Sequence, residues 1–456
     1  MRVVSGTPSP IAEVEDASSG APIRRRRFAV ADASPTFTPI DRAALRYWTV
    51  VVAHFVVDLY PMFIVSLVAT LQMRLALTET QAALVISING VISGVSQPIF
   101  AWIGDKLNTR LFGALGLAVA AVAISSIGFA QTYTQLLLLQ ILGMAGVGVF
   151  HPVSSALAGR LGRDTFHREG ATRSARGVGL AVFFAAGVGA GGFLGPLIAT
   201  RVSAQQIFDV DGMKLLGFMA VPGLLGAAAM WMATRRVPHR TSASGSRADE
   251  ALSAVATESQ RWFAVGVLFV SNTLRFTTNL GLLYLFKRWA ELQVASSTAN
   301  EAASVSNLHG NVIAVGQVGM GVSALILGRW VAHGHERRAM ILSGILAAPL
   351  IVIMPGLGVP GMLLASGLVA FGYFGVIPTS LSLAQRLLPH ATGMTGGILM
   401  GSGWAISALG PILAERVAQS AGLDVAFGVF GGLLAAAGFV SLLLSPRLIR
   451  AAAHLG

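Results

Sequence analysis

The chain has 456 residues, of which 54% are hydrophobic and only 11% charged. A soluble globular protein carries about 25% charged residues, so this composition, with a mean hydropathy of +0.70, excludes a soluble fold and requires a bilayer. The net charge of +12 would suggest nucleic acid in a soluble protein, but here the basic residues lie between apolar segments and suit an anionic inner leaflet, so no nucleic-acid partner is expected.

Cysteine is absent, which removes disulfides, thiolate metal sites and a cysteine nucleophile from consideration. Residues 1–45 are polar, with a run Arg24–Arg27. They read as a disordered cytoplasmic tail without a cleavable signal.

A spanning helix needs roughly 20 mostly apolar residues. Twelve such segments follow, at about 48–73, 80–103, 111–131, 133–160, 171–200, 213–234, 262–287, 308–331, 339–356, 360–388, 392–415 and 422–445. The expected organisation is an N-terminal six-helix bundle over 46–234, a cytoplasmic linker over 235–261, a C-terminal bundle over 262–446 and a short tail over 447–456. Lys and Arg concentrate on the side of the N-terminus, which predicts both termini in the cytoplasm; the plasma (inner) membrane is the expected location on the resemblance given below.

An ionisable group deep in a span is costly and marks a functional site by default. In span 1, Asp58 follows His54 by one helical turn on the same face. The pair can hold or relay a proton; the structural alternative is a hydrogen-bonded pair that orients the helix. Gln97 precedes Pro98 in span 2, and the loop after it carries Gly104, Asp105, Lys106 and Arg110. Gly104 permits a tight turn, and Asp105 can cap the next helix or pair with Arg110.

Span 4 contains His151-Pro152, with Ser154 and Ser155 beyond. Proline removes a backbone hydrogen bond and kinks a helix. Histidine titrates near neutral pH, so His151 joins Asp58 and His54 as a proton-coupling candidate, against the alternative of a kink with a satisfied histidine. Span 5 is glycine-rich and includes Gly191, Gly195 and Pro196, a composition that lets helices approach closely and slide.

Arg275 lies within span 7 and Asn272 one turn before it. A buried charge needs a partner. Arg275 is therefore expected either to pair with Asp58 across a central cavity or to bind an anionic substrate through its guanidinium. Asn89, Gln97, Gln140, Ser155, Asn279, Asn311, Gln317, Tyr373 and Trp404 are further polar or aromatic side chains within spans. They suit a hydrated pathway, in which Asn272, Gln97, Ser155, Tyr373 and Trp404 are the substrate-binding candidates beside Arg275, or simply interhelical hydrogen bonds.

Two echoes divide the chain into halves. AGGFLGPLIA (190–199) matches AISALGPILA (405–414), so Gly195-Pro196 corresponds to Gly410-Pro411, and spans 5 and 11 are expected to form part of the sliding interface at these two pairs and Gly191. GVGVFHPVSSALAGRL (146–161) matches GYFGVIPTSLSLAQRL (372–387), with Pro152 over Pro378 and Ile377 where His151 stands. Parallel duplication of a membrane bundle is the ground plan of many secondary transporters. The sequence has no G-x-x-x-x-G-K-[ST] loop, no H-E-x-x-H and no evident G-x-S-x-G elbow. ATP-driven transport and an intramembrane enzyme are therefore not expected, and no cofactor is implied.

Twelve spans, a central loop and the Gly104-Asp105-Lys106-x-x-x-Arg110 turn resemble the major facilitator superfamily over about residues 46–450. Gly191-x-x-x-Gly195-Pro196 is similar to the motif of its proton-coupled antiporters. His54-x-x-x-Asp58, Gln97-Pro98 and Phe150-His151-Pro152-x-x-Ser155 resemble the fosmidomycin-resistance branch. That resemblance implies an all-α inner-membrane exporter of small toxic molecules, a phosphonate antibiotic among them, in exchange for protons. One departure stands out: the branch carries an acid directly after His-Pro, and here that residue is Val153. Coupling would then fall to Asp58 or His151.

The expectation is a secondary transporter that works as a monomer by alternating access, with protons, a small anionic or drug-like molecule and the bilayer as its partners. Uptake of a small organic anion by symport or facilitation is the alternative. A non-transporting membrane sensor or assembly factor is the reading of another class.

Overall fold

The computed structural model describes residues 42–106, 111–166, 175–207, 209–237, 250, 252–294, 301–331 and 334–453. Residues 1–41, Arg110 and residues 238–249 of the central linker lie outside the described residues. Residues 41–456 form one compact unit.

The unit is almost wholly helical, because a chain crossing hydrocarbon must satisfy its backbone polar groups within each segment. Among the described residues, eleven helices are long and apolar enough to cross a membrane. The first half contains α1 (Arg42–Ser66), α2 (Glu79–Lys106), α3 (Phe112–Phe129), α4 (Tyr133–Phe166), α5 (Val178–Ser203) and α6 (Gly212–Thr234). The second half contains α7 (Glu258–Val294), α8 (Glu301–Trp330), α9 (Glu336–Gly356), α10 (Val359–Leu387), α11 (Met394–Ala421) and α12 (Leu423–Leu443). The twelfth spanning helix is α7, 37 residues long. Ser271, Asn272, Thr273, Arg275, Thr277, Thr278 and Asn279 dilute its apolar stretch and lower its mean hydropathy. The architecture is that of an all-α membrane protein with twelve transmembrane helices.

Some boundaries differ from the sequence reading. α1 ends at Ser66, and a short helix Val68–Arg74 follows it. A two-stranded hairpin, β1 (Gln206–Ile207) and β2 (Val210–Asp211), joins α5 to α6. The C-terminal segment expected as a tail forms the helix Pro446–Ala453 instead. Its Leu448, Ile449 and Ala452 are buried along one face, and the Ala452 carbonyl accepts from Arg386 at 3.1 Å.

α5 and α11 share an irregularity that the hydropathy pattern does not reveal. Each contains a π-helical stretch, Ala185–Gly191 in α5 and Gly397–Ser402 in α11, shortly before its Gly-Pro pair. Such stretches are rare and recur at functional sites. Pro152 lies inside α4, which is helical from Tyr133 to Phe166.

Small residues set how closely the helices approach. A Cβ on Gly189 of α5 would lie 2.7 Å from the Cα of Gly321 in α8, and one on Gly401 of α11 would lie 2.6 Å from Pro98 of α2. These contacts join the two halves. Gly195 and Gly410 face inward within their own halves: Gly195 packs on the Leu59 carbonyl of α1, and Gly410 on the Thr277 carbonyl of α7. The seam between halves is thus made by glycines beside the Gly-Pro pairs. Gly191, expected at the sliding contact, packs on Phe55 and Asp58 of α1.

Candidate functional site: a histidine–aspartate triangle

The buried ionisable residues of the first half converge on one point. Asp58 lies about two thirds of the way along α1, and His54 stands one turn before it. The His54 Nε2 is 3.2 Å from Asp58 Oδ2. His151, from α4, places its Nε2 3.3 Å from Asp58 Oδ1 and 3.4 Å from His54 Nε2. The side chains of His54, Asp58 and His151 are 0%, 11% and 22% exposed. The triangle is therefore buried on the His54 side and reachable from the His151 side.

Both imidazoles are fixed from behind. His54 Nδ1 donates to the Phe183 carbonyl of α5 at 2.7 Å, and its ring stacks on Phe183 with centroids 3.7 Å apart and planes 5° apart. His151 Nδ1 donates to the Val147 carbonyl at 2.8 Å. A carbonyl can only accept, so each Nδ1 carries a hydrogen, and in the neutral ring Nε2 is then an acceptor. Gly187, within the π-helical stretch of α5, leaves the room: a Cβ there would collide with the His54 ring and the Asp58 carboxylate.

This geometry has a chemical consequence. Two Nε2 acceptors and an ionised carboxylate would all point lone pairs at one another across 3.2–3.4 Å. Buried acceptors in that arrangement repel unless a positive centre lies between them. A positive centre among the facing atoms relieves that repulsion.

Of the other residues singled out from the sequence, Asn279, Gln317 and Tyr373 share a cavity, and several others are held in local contacts. Arg275 is fully buried, and its Nη2 donates to the Met340 carbonyl of α9 at 2.5 Å. Its Nε and Nη1 have no hydrogen-bond partner among the described residues. It does not pair with Asp58, whose carboxylate oxygens face the two histidines instead.

Asn272 donates to Ser380 Oγ at 2.7 Å, and Tyr373 donates to Asn279 Oδ1 at 2.6 Å. Gln97 reaches Ser93 at 3.4 Å, and Ser155 donates to the Pro152 carbonyl at 3.2 Å. Trp404 stacks on Phe276 at 4.9 Å. Most of these groups are occupied by contacts within or between neighbouring helices. Tyr373 and Asn279 also line a cavity within the second half, with Gln317 and Ser366. Gly104 and Asp105 close α2, and their side-chain surroundings lie outside the described residues.

Two charged groupings escaped the sequence reading. The first is at the end of the molecule away from the start of α1. Glu79 of α2 pairs there with Lys287 at 2.9 Å and Arg288 at 3.2 Å, both on α7. Tyr284 donates to the same carboxylate at 3.0 Å, and Glu291 completes the network with Lys287 at 2.7 Å. Thr70 meets Ser306 at 2.8 Å, and Thr80 donates to Glu415 at 3.0 Å. These contacts clasp the two halves together. The second grouping is Glu336 of α9, buried against Arg386 of α10. The only sequence signals were a Glu at a span start and a Lys-Arg pair with Glu four residues after the Lys, which are common features of helix ends.

A duplicated twelve-helix bundle with a buried titratable cluster in one half defines a polytopic membrane transporter. The family model of the Major Facilitator Superfamily matches residues 50–303, and the chain belongs to that superfamily. It is 25% identical over 382 residues to the uncharacterized MFS-type transporter YfnC of Bacillus subtilis (strain 168), covering 82% of this chain and 86% of that one. It is 21% identical over 383 residues to the fosmidomycin resistance protein of Escherichia coli (strain K12), covering 83% and 87%.

Among solved structures, the fold matches peptide transporter POT in complex with sulfate, with a TM-score of 0.62 at 19% identity, covering 89% of this chain and 95% of that one. It also matches the human organic anion transporter MFSD10 (TETRAN), with a TM-score of 0.61 at 18% identity and coverage of 89% and 100%. The chain is a multi-pass secondary transporter.

Proposed function

We propose that the protein exports a small anionic or drug-like molecule across the inner membrane in exchange for protons, with both termini in the cytoplasm. The observation that carries this reading is the His54–Asp58–His151 triangle, whose facing ring nitrogens and carboxylate oxygens repel unless a positive charge lies between them, a role that protons can fill. In the proposed cycle the six-helix halves rock about the midplane. The triangle loads protons when open to the outer side and releases them inside, and the proton gradient biases the cycle. The relative named for fosmidomycin resistance supports a phosphonate-like anion as the first substrate to try. A monomer suffices, because both halves lie in one chain.

The test is proton release from purified, detergent-solubilised protein on adding a panel of phosphonates, organic acids and lipophilic drugs. The wild-type protein releases protons with at least one ligand, and Asp58→Asn binds that ligand with no release. Full proton-coupled transport by Asp58→Asn in liposomes, at normal expression and across pH, would sink the assignment.

Uptake of an organic anion is the second reading, favoured by the two unpartnered guanidinium nitrogens of Arg275, Nε and Nη1, since a buried guanidinium with free donors suits an anion. Exchange of labelled substrate in vesicles with the gradient collapsed separates a facilitator from an obligately coupled exporter.

A further inference from the structure

We infer that His54, Asp58 and His151 form a binding site for a divalent transition-metal cation of the Zn2+ type, which occupies the space between their facing ring nitrogens and carboxylate oxygens and excludes protons from it. The inference uses the same residues as the proton-coupling reading without depending on it, because a metal needs only the geometry.

The distances support a metal centre. Ligands about 2.0–2.1 Å from a tetrahedral zinc ion stand about 3.3 Å apart. The two Nε2 atoms are 3.4 Å apart, and Asp58 meets them with different oxygens, Oδ2 at 3.2 Å from His54 and Oδ1 at 3.3 Å from His151, so the carboxylate would hold the ion through both oxygens. One ligand atom from each residue lies within 4.8 Å of the others. The orientation is also suitable. A metal-bound histidine usually donates its other ring N–H to a carbonyl or carboxylate, which fixes the tautomer. Both histidines do so, through Phe183 and Val147, and both present Nε2 to the centre.

Donor chemistry narrows the ion. Two imidazoles and one carboxylate suit Zn2+, Co2+ or Ni2+, whereas Mg2+ and Ca2+ favour sets of oxygens. Three protein ligands leave a fourth position for water or an added ligand. The exposed edge at His151 and Asp58 gives a path to it. The site is also preorganised, since Phe183 and Gly187 hold the His54 ring in place. A bound metal would occupy the positions that protons need, so micromolar Zn2+ should inhibit transport.

The experiment is a Co2+ titration of the full chain in detergent, purified through a tag without histidine and stripped with chelator. Visible absorption bands are the readout, followed by displacement with Zn2+. The expected result is one equivalent of Co2+, displaced by Zn2+. Affinity should fall at least about tenfold in His151→Gln and in Asp58→Asn, and stay unchanged in His390→Gln, which lies far along the chain near the start of α11. X-ray absorption on the wild-type Zn2+ complex needs no variant and should read two imidazoles and one carboxylate. Absence of one-equivalent binding, a different ligand set, or full affinity in both site variants would overturn the inference. No substrate or gradient enters these measurements, so a protein that binds Co2+ without coupling protons loses only the earlier reading, and the reverse outcome loses only this one.

Discussion

Gly187 matters as much as the three ionisable residues it faces. Its missing side chain is what allows α5 to press against His54 and Asp58. Gly187→Ala removes no titratable group, yet its methyl must displace the His54 ring or push α5 away. Overpacking of this kind costs about 1–3 kcal/mol. The variant should therefore melt a few degrees lower and show weakened proton release, while Gly266→Ala, at a position with open space, should change neither. Melting in detergent and ligand-induced proton release check both. The sequence exposed the titratable members of the site one at a time, because each buried charge is conspicuous in a span. It did not expose their meeting point. The Phe183 carbonyl carries no sequence signal, and the approach of α4 to α1 is set by packing. The expected Asp58–Arg275 pair failed for the same reason: two isolated charges invite pairing on paper, but the histidines are already at the aspartate.

At the scale of elements, hydropathy located nearly every span, since length and apolarity are what a bilayer demands. It failed where regular helix gives way to local geometry, in the π-helical stretches of α5 and α11 and in the terminal helix that follows α12. The turn from α11 to α12 rests on Gly422, whose φ of +93° is strained for any other residue.

The start of α6 illustrates a cap outside the membrane. Asp211 accepts from the Met213 amide at 3.0 Å and pairs with Arg74. Burial pushes its carboxyl up, but the amide and the guanidinium outweigh this and hold it below the usual carboxylate range. A carboxyl lowered in the folded state stabilises fully above its unfolded value near pH 4, and that contribution disappears as pH falls through the folded value. Asp211→Ala should cost about 1 kcal/mol at pH 7, with the difference from wild type vanishing in acid. Chemical or thermal unfolding at pH 7 and at pH 3 measures it, and an equal deficit at both would refute the cap.

At the scale of the whole molecule, the question is which contacts must break for the halves to rock. The glycine seams between α5 and α8 and between α2 and α11 are apolar and close, a surface that slides without leaving charges unpaired. The clasp of Glu79 with Lys287, Arg288 and Tyr284 is different. Opening that end separates Glu79 from a fully buried Lys287, which then keeps only Glu291 on its own helix. The clasp should therefore favour the form closed at that end.

Glu79→Gln removes its charge while keeping most of its shape. Because Glu79 is partly exposed, solvent screening discounts the pairing, and a shift of about 1–2 kcal/mol is reasonable, a factor of roughly 5–30 in population. The chain has no cysteine, so Ser306→Cys supplies the sole thiol, at a buried contact between the halves. Labelling of that thiol by an impermeant maleimide should quicken several-fold when Glu79→Gln is added to Ser306→Cys. Restoring a carboxylate with Glu79→Asp should bring the rate back toward the parent value. An unchanged rate in the Gln variant would mean that the apolar seams, and not the clasp, hold that end closed.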